Sequence, residues 1–404
     1  MRIANASRPL PRHPRPAAGW LLAATSALAL AAPAPVVADG PRGGSVASGA
    51  ATIRSEAGRT RIDQRSRRAV IDWQGFDVGR RHRVTFDQPG RNAATLNRVD
   101  SVTPSVIQGR IEAPGNVIIQ NSAGVLIAPS GAIDVGGLVA TSQRVDPRRF
   151  QQTGALDIGG GERPGARIVN SGTVTLADRG LAALVGSRVE NAGTILAPRG
   201  TVALASGTRT TIDLSGDGTV QIAVDGTPEG GRVSHSGLIE ADGGRVLLTA
   251  SGASATLDTA INTEGVIRAG ALGGQAGRIE ITGRDGATVR IAGTVAAPGA
   301  ARGGEIAVTG RSVTLAPGAD VSADGTGDGG RIRLGGDLSG TGPMPRAREL
   351  RVSEGATVRA DGATGAGGTI IAWADATTRI DGRLSARGPA RGGFIETSAA
   401  EALS

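Results

Sequence analysis

The sequence predicts an all-β chain wound into a parallel β-helix, a solenoid with a cap over its N-terminal end. Three observations point there. Short runs of Val, Ile and Leu alternate with Gly, Pro, Asn and Asp, and no window sustains the i, i+3, i+4, i+7 apolar spacing of a helix. The 404 residues include 65 glycines but only 2% aromatic residues, so small aliphatic side chains have to build the core. Units recur at a period of roughly 20–30 residues, each of a size that buries its inner face only against its neighbours.

The chain opens with a secretory signal peptide, residues 1–38. Arg2, Arg8, Arg12 and Arg15 precede an apolar run of 14 residues, Gly19–Ala32, which is short for a membrane span. Val36-Val37-Ala38 is a small-residue cleavage site, so the predicted cut falls between Ala38 and Asp39. The competing reading is an uncleaved anchor. No later stretch approaches a span, and the mature chain is expected to be secreted or held at the cell surface, reached through the periplasm. The absence of cysteine suits export through a narrow pore, as it suits any repeat protein that needs no cross-link.

Residues from Asp39 to about Gly58 read as a polar lead-in, and strand–turn patterning starts near Ala69. Between Val70 and Ser142 the β-type runs VIDW, HRVTF, SVIQGRI, NVIIQ, GVLIA and AIDV follow one another. Trp73, Phe76 and Phe86 crowd into one short segment of a chain almost devoid of rings. An open solenoid end exposes core and unpaired backbone, so these three are assigned to the cap, with an aromatic ligand patch as the alternative.

Beyond Ser142 the segment QRVDPRRFQQTGALDIGGGERPGA reads as an excursion from the coil. Two marks then repeat. ARIVNSGTVTLA at Ala166 is echoed by SRVENAGTILA at Ser187, GRVSHSGLIEA at Gly231 and ATVRIAGTVAA at Ala287; Asn-x-Gly is expected to take a left-handed corner. Gly-Gly precedes a short β-run at Gly243, Gly273, Gly303, Gly329, Gly367 and Gly392, at spacings of 30, 30, 26, 38 and 25 residues. At ~21 residues per coil the mature chain would make about 17 coils stacked about 4.8 Å apart, a rod on the order of 80 Å. In GRIEITG, alternation predicts Ile279 and Ile281 inward and Glu280 outward.

Several functions lack their residues. His82 and His235 are isolated, there is no H-x-x-H or G-x-S-x-G motif, and the glycine pairs are not followed by Lys-Ser/Thr and a helix. Asp324-Gly-Thr-Gly-Asp328 has the composition of a calcium turn but does not recur, so a plain corner is expected. Every basic residue is Arg, scattered among Asp and Glu without aromatic interleaving, which argues against nucleic acid. A polysaccharide-degrading enzyme on the same fold would need clustered carboxylates, and no Asp-Asp pair or Gly-His-Gly is present. No enzyme activity, metal or cofactor is expected.

One stretch also resembles a known family. WQGFDVG (Trp73–Gly79), VTFDQP (Val84–Pro89), LNRV (Leu96–Val99), PSVIQGRIEAPGNVIIQNSAGVLI (Pro104–Ile127) and DVGGLVATS (Asp134–Ser142) are similar, in this order, to the secretion domain of filamentous-haemagglutinin-type exoproteins of two-partner secretion systems. The family's central Asn-Pro-Asn-Gly turn is Asn121-Ser122-Ala123-Gly124 here. The resemblance implies a right-handed β-helix, a secretion domain over 39–150 and a repetitive stalk over 151–404. It implies a cognate outer-membrane barrel transporter with periplasmic POTRA domains, reached through the Sec machinery. On the matching positions, it assigns transporter recognition to Asn97, Arg98, Asn121, Gly124, Gly136 and Gly137. The repeat GGTIIAWADATTRIDGRLSARGPARGGFIETS (Gly367–Ser398) is similar to repeats of long members, so the chain is expected to be a short or C-terminally truncated one. The implied role is a surface or released adhesin contacting host-cell or matrix receptors. A cytolysin or contact-dependent toxin carrier and a biofilm matrix component are the alternatives.

Overall fold

Every residue of GRIEITG lies where strand alternation sends it: Ile279 and Ile281 are fully buried, and Glu280 faces outward. The computed structural model describes residues 39–213, 222–226, 228, 230–252 and 260–404. The predicted signal peptide therefore lies outside the described residues, as does Ala38; Asp39 is the first residue described.

The chain forms a parallel β-helix with three faces, visited in turn. One coil runs through Thr173–Leu176, Leu181–Val185 and Arg188–Asn191; the next begins at Thr194–Leu196 and pairs in parallel above the first. We call these the first, second and third faces. Each supplies an inward column of aliphatic residues. On the second face Val202, Val246, Ile279, Ile306 and Ile332 stack in register, with Leu204, Leu248, Ile281, Val308 and Leu334 beside them. On the first, Ile133, Val174, Ile195, Ile239 and Ile267 do so, and on the third, Ile168, Val189, Val233, Ile261 and Val289. All are essentially inaccessible to solvent. Stacking like on like lets branched side chains fill the core without large rings.

Both repeat marks have a place. The Gly-Gly pairs lead into second-face strands and the Asn-x-Gly corners into first-face strands. Space, and not the left-handed backbone expected at the Asn-x-Gly corners, requires most of these glycines; Gly243, Gly273 and Gly274 are the exceptions with positive φ. Gly136, Gly180, Gly200 and Gly244 form a column in which a Cβ on each would collide with backbone carbonyl oxygen of the coil below. None of them has positive φ, and neither do Asn170, Gly172, Asn191 and Gly193.

Twelve parallel strands make up the second face among the described residues, fewer than the seventeen coils expected. Excursions lengthen several coils. The one predicted after Ser142 contains a helix, Pro147–Thr153, capped by Asp146, whose carboxylate accepts from Arg148 N and Arg149 N. It continues as strand Leu156–Gly159, which joins Arg209–Ile212 and Ile222–Asp225 in a separate antiparallel sheet. This layer covers the outer side of the second face. Val70, Leu96, Ile118, Val139, Ala183 and Ala203 there pack with Val145, Phe150, Leu156, Ile158 and Ile212 in a second core. Strands such as LAALV are therefore buried on both sides.

The polar lead-in is not unstructured. Ser45–Ser48 pairs antiparallel with Arg68–Trp73, and Ala51–Glu56 with Arg59–Gln64. These strands close the N-terminal end, and strand structure begins well before Ala69. As edge strands they need only one apolar face, which Val46, Ala51 and Ile53 supply.

Candidate functional site

The candidate site is the set of first coils, Asp39 to Ser142, whose interior is unusually polar. Trp73, Phe76 and Phe86 lie in the core of the first coil beneath the antiparallel strands. Trp73 and Phe76 meet edge to face at 5.4 Å between centroids, and a Cβ on Gly44 would fall between the Trp73 ring and Ile53.

Asn97 points inward, fully buried, one coil above Ile71 and one below Ile119. Its side-chain oxygen accepts from Trp73 Nε1 at 3.0 Å, and its amide donates to Ile118 O at 3.1 Å. One buried amide thus links three successive coils, and leaving either partner unmet would cost about 1–3 kcal/mol. Arg98, next along the strand, points outward and grips Asp72 with two bonds, Nε at 2.7 Å and Nη2 at 2.8 Å. Buried Gln64 and Thr95 form a second cluster with half-buried Gln88; Thr95 Oγ1 donates to Gln64 Oε1 at 2.5 Å, and Gln88 Nε2 to Thr95 Oγ1 at 2.9 Å. Nothing local marks these residues as inward in the sequence; only register places them there.

Asn121 and Gly124 do form a corner, but by different means. Asn121 is extended and fully buried. Its amide donates to Thr103 O at 3.1 Å and Ser105 Oγ at 3.0 Å, and its oxygen accepts from Ala123 N at 2.9 Å. Asn121 therefore needs no positive φ. Gly124 alone takes it, at +115°, and a Cβ there would sit 2.5 Å from Arg167 O. Gly136 and Gly137 are tightly overlaid by Pro114 O and Asn116 Oδ1 respectively. Of the six residues assigned to transporter recognition, Asn97, Asn121, Gly124 and the two glycines are thus part of coil-to-coil packing, and Arg98 is on the surface.

The excursion is fastened to this corner. Arg163 N donates to Ser122 O at 2.9 Å. Glu162 accepts from Ser142 Oγ, Ser187 Oγ and Ser187 N, the last at 3.1 Å. No pattern in GGGERPG signalled this clamp. Farther along, Asn170, Asn191 and His235 stack in the core as a hydrogen-bonded ladder, with Asn170 Nδ2 donating to Asn191 Oδ1 at 2.7 Å. Burial pushes the His235 imidazole below its usual pKa, and burial does the same to His82, partly offset by Asp39. Among the described residues no group of three or more His, Cys, Asp or Glu is placed to hold a metal ion. Asp324 instead accepts from Asp361 N at 2.8 Å and Arg359 Nε at 3.2 Å.

A capped parallel β-helix whose first coils carry an extrahelical layer over one face defines a class, the secretion domains of two-partner-secreted exoproteins. The family model for the TPS secretion domain matches residues 38–297, and the chain belongs to that family. It is 33% identical over 229 residues to a heme/hemopexin-binding protein of Haemophilus influenzae (strain ATCC 51907 / DSM 11121 / KW20 / Rd), covering 54% of this chain and 24% of that protein. A second Haemophilus influenzae heme/hemopexin-binding protein is 39% identical over 99 residues, 24% of this chain and 11% of that one. The chain spans a quarter or less of the length of these curated relatives. The crystal structure of the HMW1 secretion domain from Haemophilus influenzae superposes with a TM-score of 0.82 at 28% identity, covering 90% of this chain and 96% of that one. The chain thus carries a TPS secretion domain, the domain found in two-partner-secreted exoproteins. Among the described residues no helix is long and apolar enough to cross a membrane.

Proposed function

We infer that the chain leaves the cytoplasm by the Sec route, is engaged in the periplasm by the POTRA domains of its transporter while unfolded, and acts outside the cell as a surface or released adhesin. The observation that carries the transport reading is the one-way stack. Antiparallel strands close the N-terminal end, so each new coil adds only to the coil before it. Every added coil buries an aliphatic set on three faces, which biases an emerging chain outward. Engagement of extended segments at a transporter sheet edge would use strand addition. The Asn121–Gly124 corner and the glycines at 136 and 137 are proposed to act there as well as in packing. The reading is non-catalytic; the engagement of carboxylates such as Asp320 and Asp324 with Arg359 supports it.

Secretion with and without the cognate transporter tests the route. Deleting Val70–Ser142 should leave the remainder in the periplasm, and normal release of the deleted form would refute the assignment. A second reading has its own support: the relatives' name suggests haem or hemopexin as the ligand. Retention of haem or hemopexin by the purified mature chain, against binding to host-cell monolayers, separates it from adhesion.

A further inference from the structure

The positive charge of this protein is concentrated at one end. Residues 39–115 carry thirteen arginines against eight acids, whereas residues 116–404 carry 27 arginines against 28 acids. The fold gathers part of that excess at one place. Arg59, Arg83 and Arg110 stand in direct register on adjacent strands of the first face, about 4.8 Å apart along the stack. The same row continues as Ala132, Thr173 and Thr194 and holds one further arginine, Arg383, near its far end, so stacked arginines occur in this row only in the first coils. Arg80 and Arg81 occupy the turn that enters this row, closed by His82 N donating to Gly79 O at 2.8 Å. The backbones are tied together: Arg83 N donates to Gly58 O and Arg110 N to His82 O, both at 3.0 Å.

Like charges stacked at this spacing repel, and the local acids answer only part of it. Glu112 lies between Arg83 and Arg110, at 3.4 and 3.6 Å. Asp63 and Asp87 are engaged by Arg61, and Asp63 also by Arg54. Arg59, Arg80 and Arg81 are exposed and make no ion pair among the described residues. The corner has no exposed ring between its guanidiniums, which disfavours a stacked base.

We propose that this corner, Arg59, Arg80 and Arg81 with Arg83 and Arg110, is a docking face for a phosphate-bearing lipid surface. Guanidiniums held in a short row by a rigid sheet match an array of phosphates, each taking two parallel N–H bonds. A chain that emerges through an outer membrane brings its first folded coils beside such headgroups. The face is independent of any adhesive role of the rest of the molecule.

The test uses the purified mature chain and vesicles of phosphatidylcholine with or without about one-third phosphatidylglycerol. Binding should require the anionic lipid and weaken as salt rises. Replacing Arg59, Arg80 and Arg81 together with Gln should weaken it roughly a hundredfold, since each arginine near an anionic surface is worth about a fivefold change. The same three changed to Lys keep the charge but lose the paired N–H bonds, and should restore only part of it. Replacing the exposed Arg302, Arg311 and Arg383 with Gln removes equal charge and should have little effect. Equal losses from the two Gln triples would show a net-charge effect and overturn the proposal. So would binding to pure phosphatidylcholine, or full competition by inorganic phosphate at matched ionic strength, which would indicate a site for a free anion. Circular dichroism checks the fold of each variant, and if the Gln triple unfolds, the Lys triple and the salt dependence still decide.

Discussion

Asn191 donates its side-chain amide to His235 Nδ1 at 3.1 Å, with both side chains buried in the core. On the far side of the ring, His235 Nε2 donates to Val266 O at 3.1 Å. Both ring nitrogens are satisfied only in the neutral form with the proton on Nε2. A second proton on Nδ1 would face the Asn191 amide, also a donor.

The ladder should make the fold sensitive to acid. Burial lowers the folded pKa of His235, so above the ordinary histidine pKa of about 6.5 the ring is neutral in both states and costs nothing. As pH falls below that value the unfolded chain takes up a proton that the folded one refuses. Stability is lost down to the lowered folded pKa, at up to about 1.4 kcal/mol per pH unit. His235→Asn continues the ladder without a titrating group. Denaturant midpoints at neutral and mildly acid pH should fall less for this variant than for the wild type; parallel falls would show that His235 does not contribute.

Alternation in Arg278–Arg284 gives a graded pair of substitutions. Ile281 sits between Leu248 and Val308, and Ile281→Asp would place a carboxylate among stacked aliphatics, at a cost of several kcal/mol. Glu280 is half-buried, not freely exposed. Burial acts to raise its pKa, but Arg245 and Arg278, each 2.5 Å away, outweigh it and hold the carboxyl below its usual range. Glu280→Ala should therefore cost about 1 kcal/mol or less, and that contribution should disappear as the carboxylate is protonated in acid. Equal destabilisation by the two changes would contradict the stacked-coil assignment.

Gly124→Val introduces a β-branched side chain at φ +115° against Arg167 O. A loss of about 2 kcal/mol or more is expected. The amount in the culture medium should drop while export to the periplasm is unchanged. If medium levels match the wild type, this corner has no part in transport.

The outer core yields a truncation test. In a fragment ending at Phe150, Val70, Leu96, Ile118 and Val139 would lose the cover of Leu156, Ile158 and Ile212. Such a fragment should bind a hydrophobic dye and melt lower than one ending at residue 297. Glu162→Ala, which frees Ser142 and Ser187, should show a milder form as faster proteolysis within 143–166. Equal dye binding by the two fragments would mean that the layer is dispensable.

Much of this molecule was legible in its sequence because a β-helix is built from local repeats. Gly-Gly and Asn-x-Gly mark where each coil turns, alternation marks which isoleucines go inside, and the blocks from Trp73 to Ser142 carry the family resemblance. What the glycines do was less legible: the column at 136, 180, 200 and 244 answers to the carbonyls of the coil below, and no single coil reveals its neighbour. Tertiary structure alone decided which polar residues become core. Asn97 meets Trp73 across 24 residues, Asn191 meets His235 across 44, and Gln143 Nε2 reaches Gly207 O across 64. It also decided that the second face is buried on both sides and that three arginines far apart in the chain share one row. Composition and spacing determine that coils form; excursion lengths determine which residues meet above and below, and register follows only when the coils are stacked.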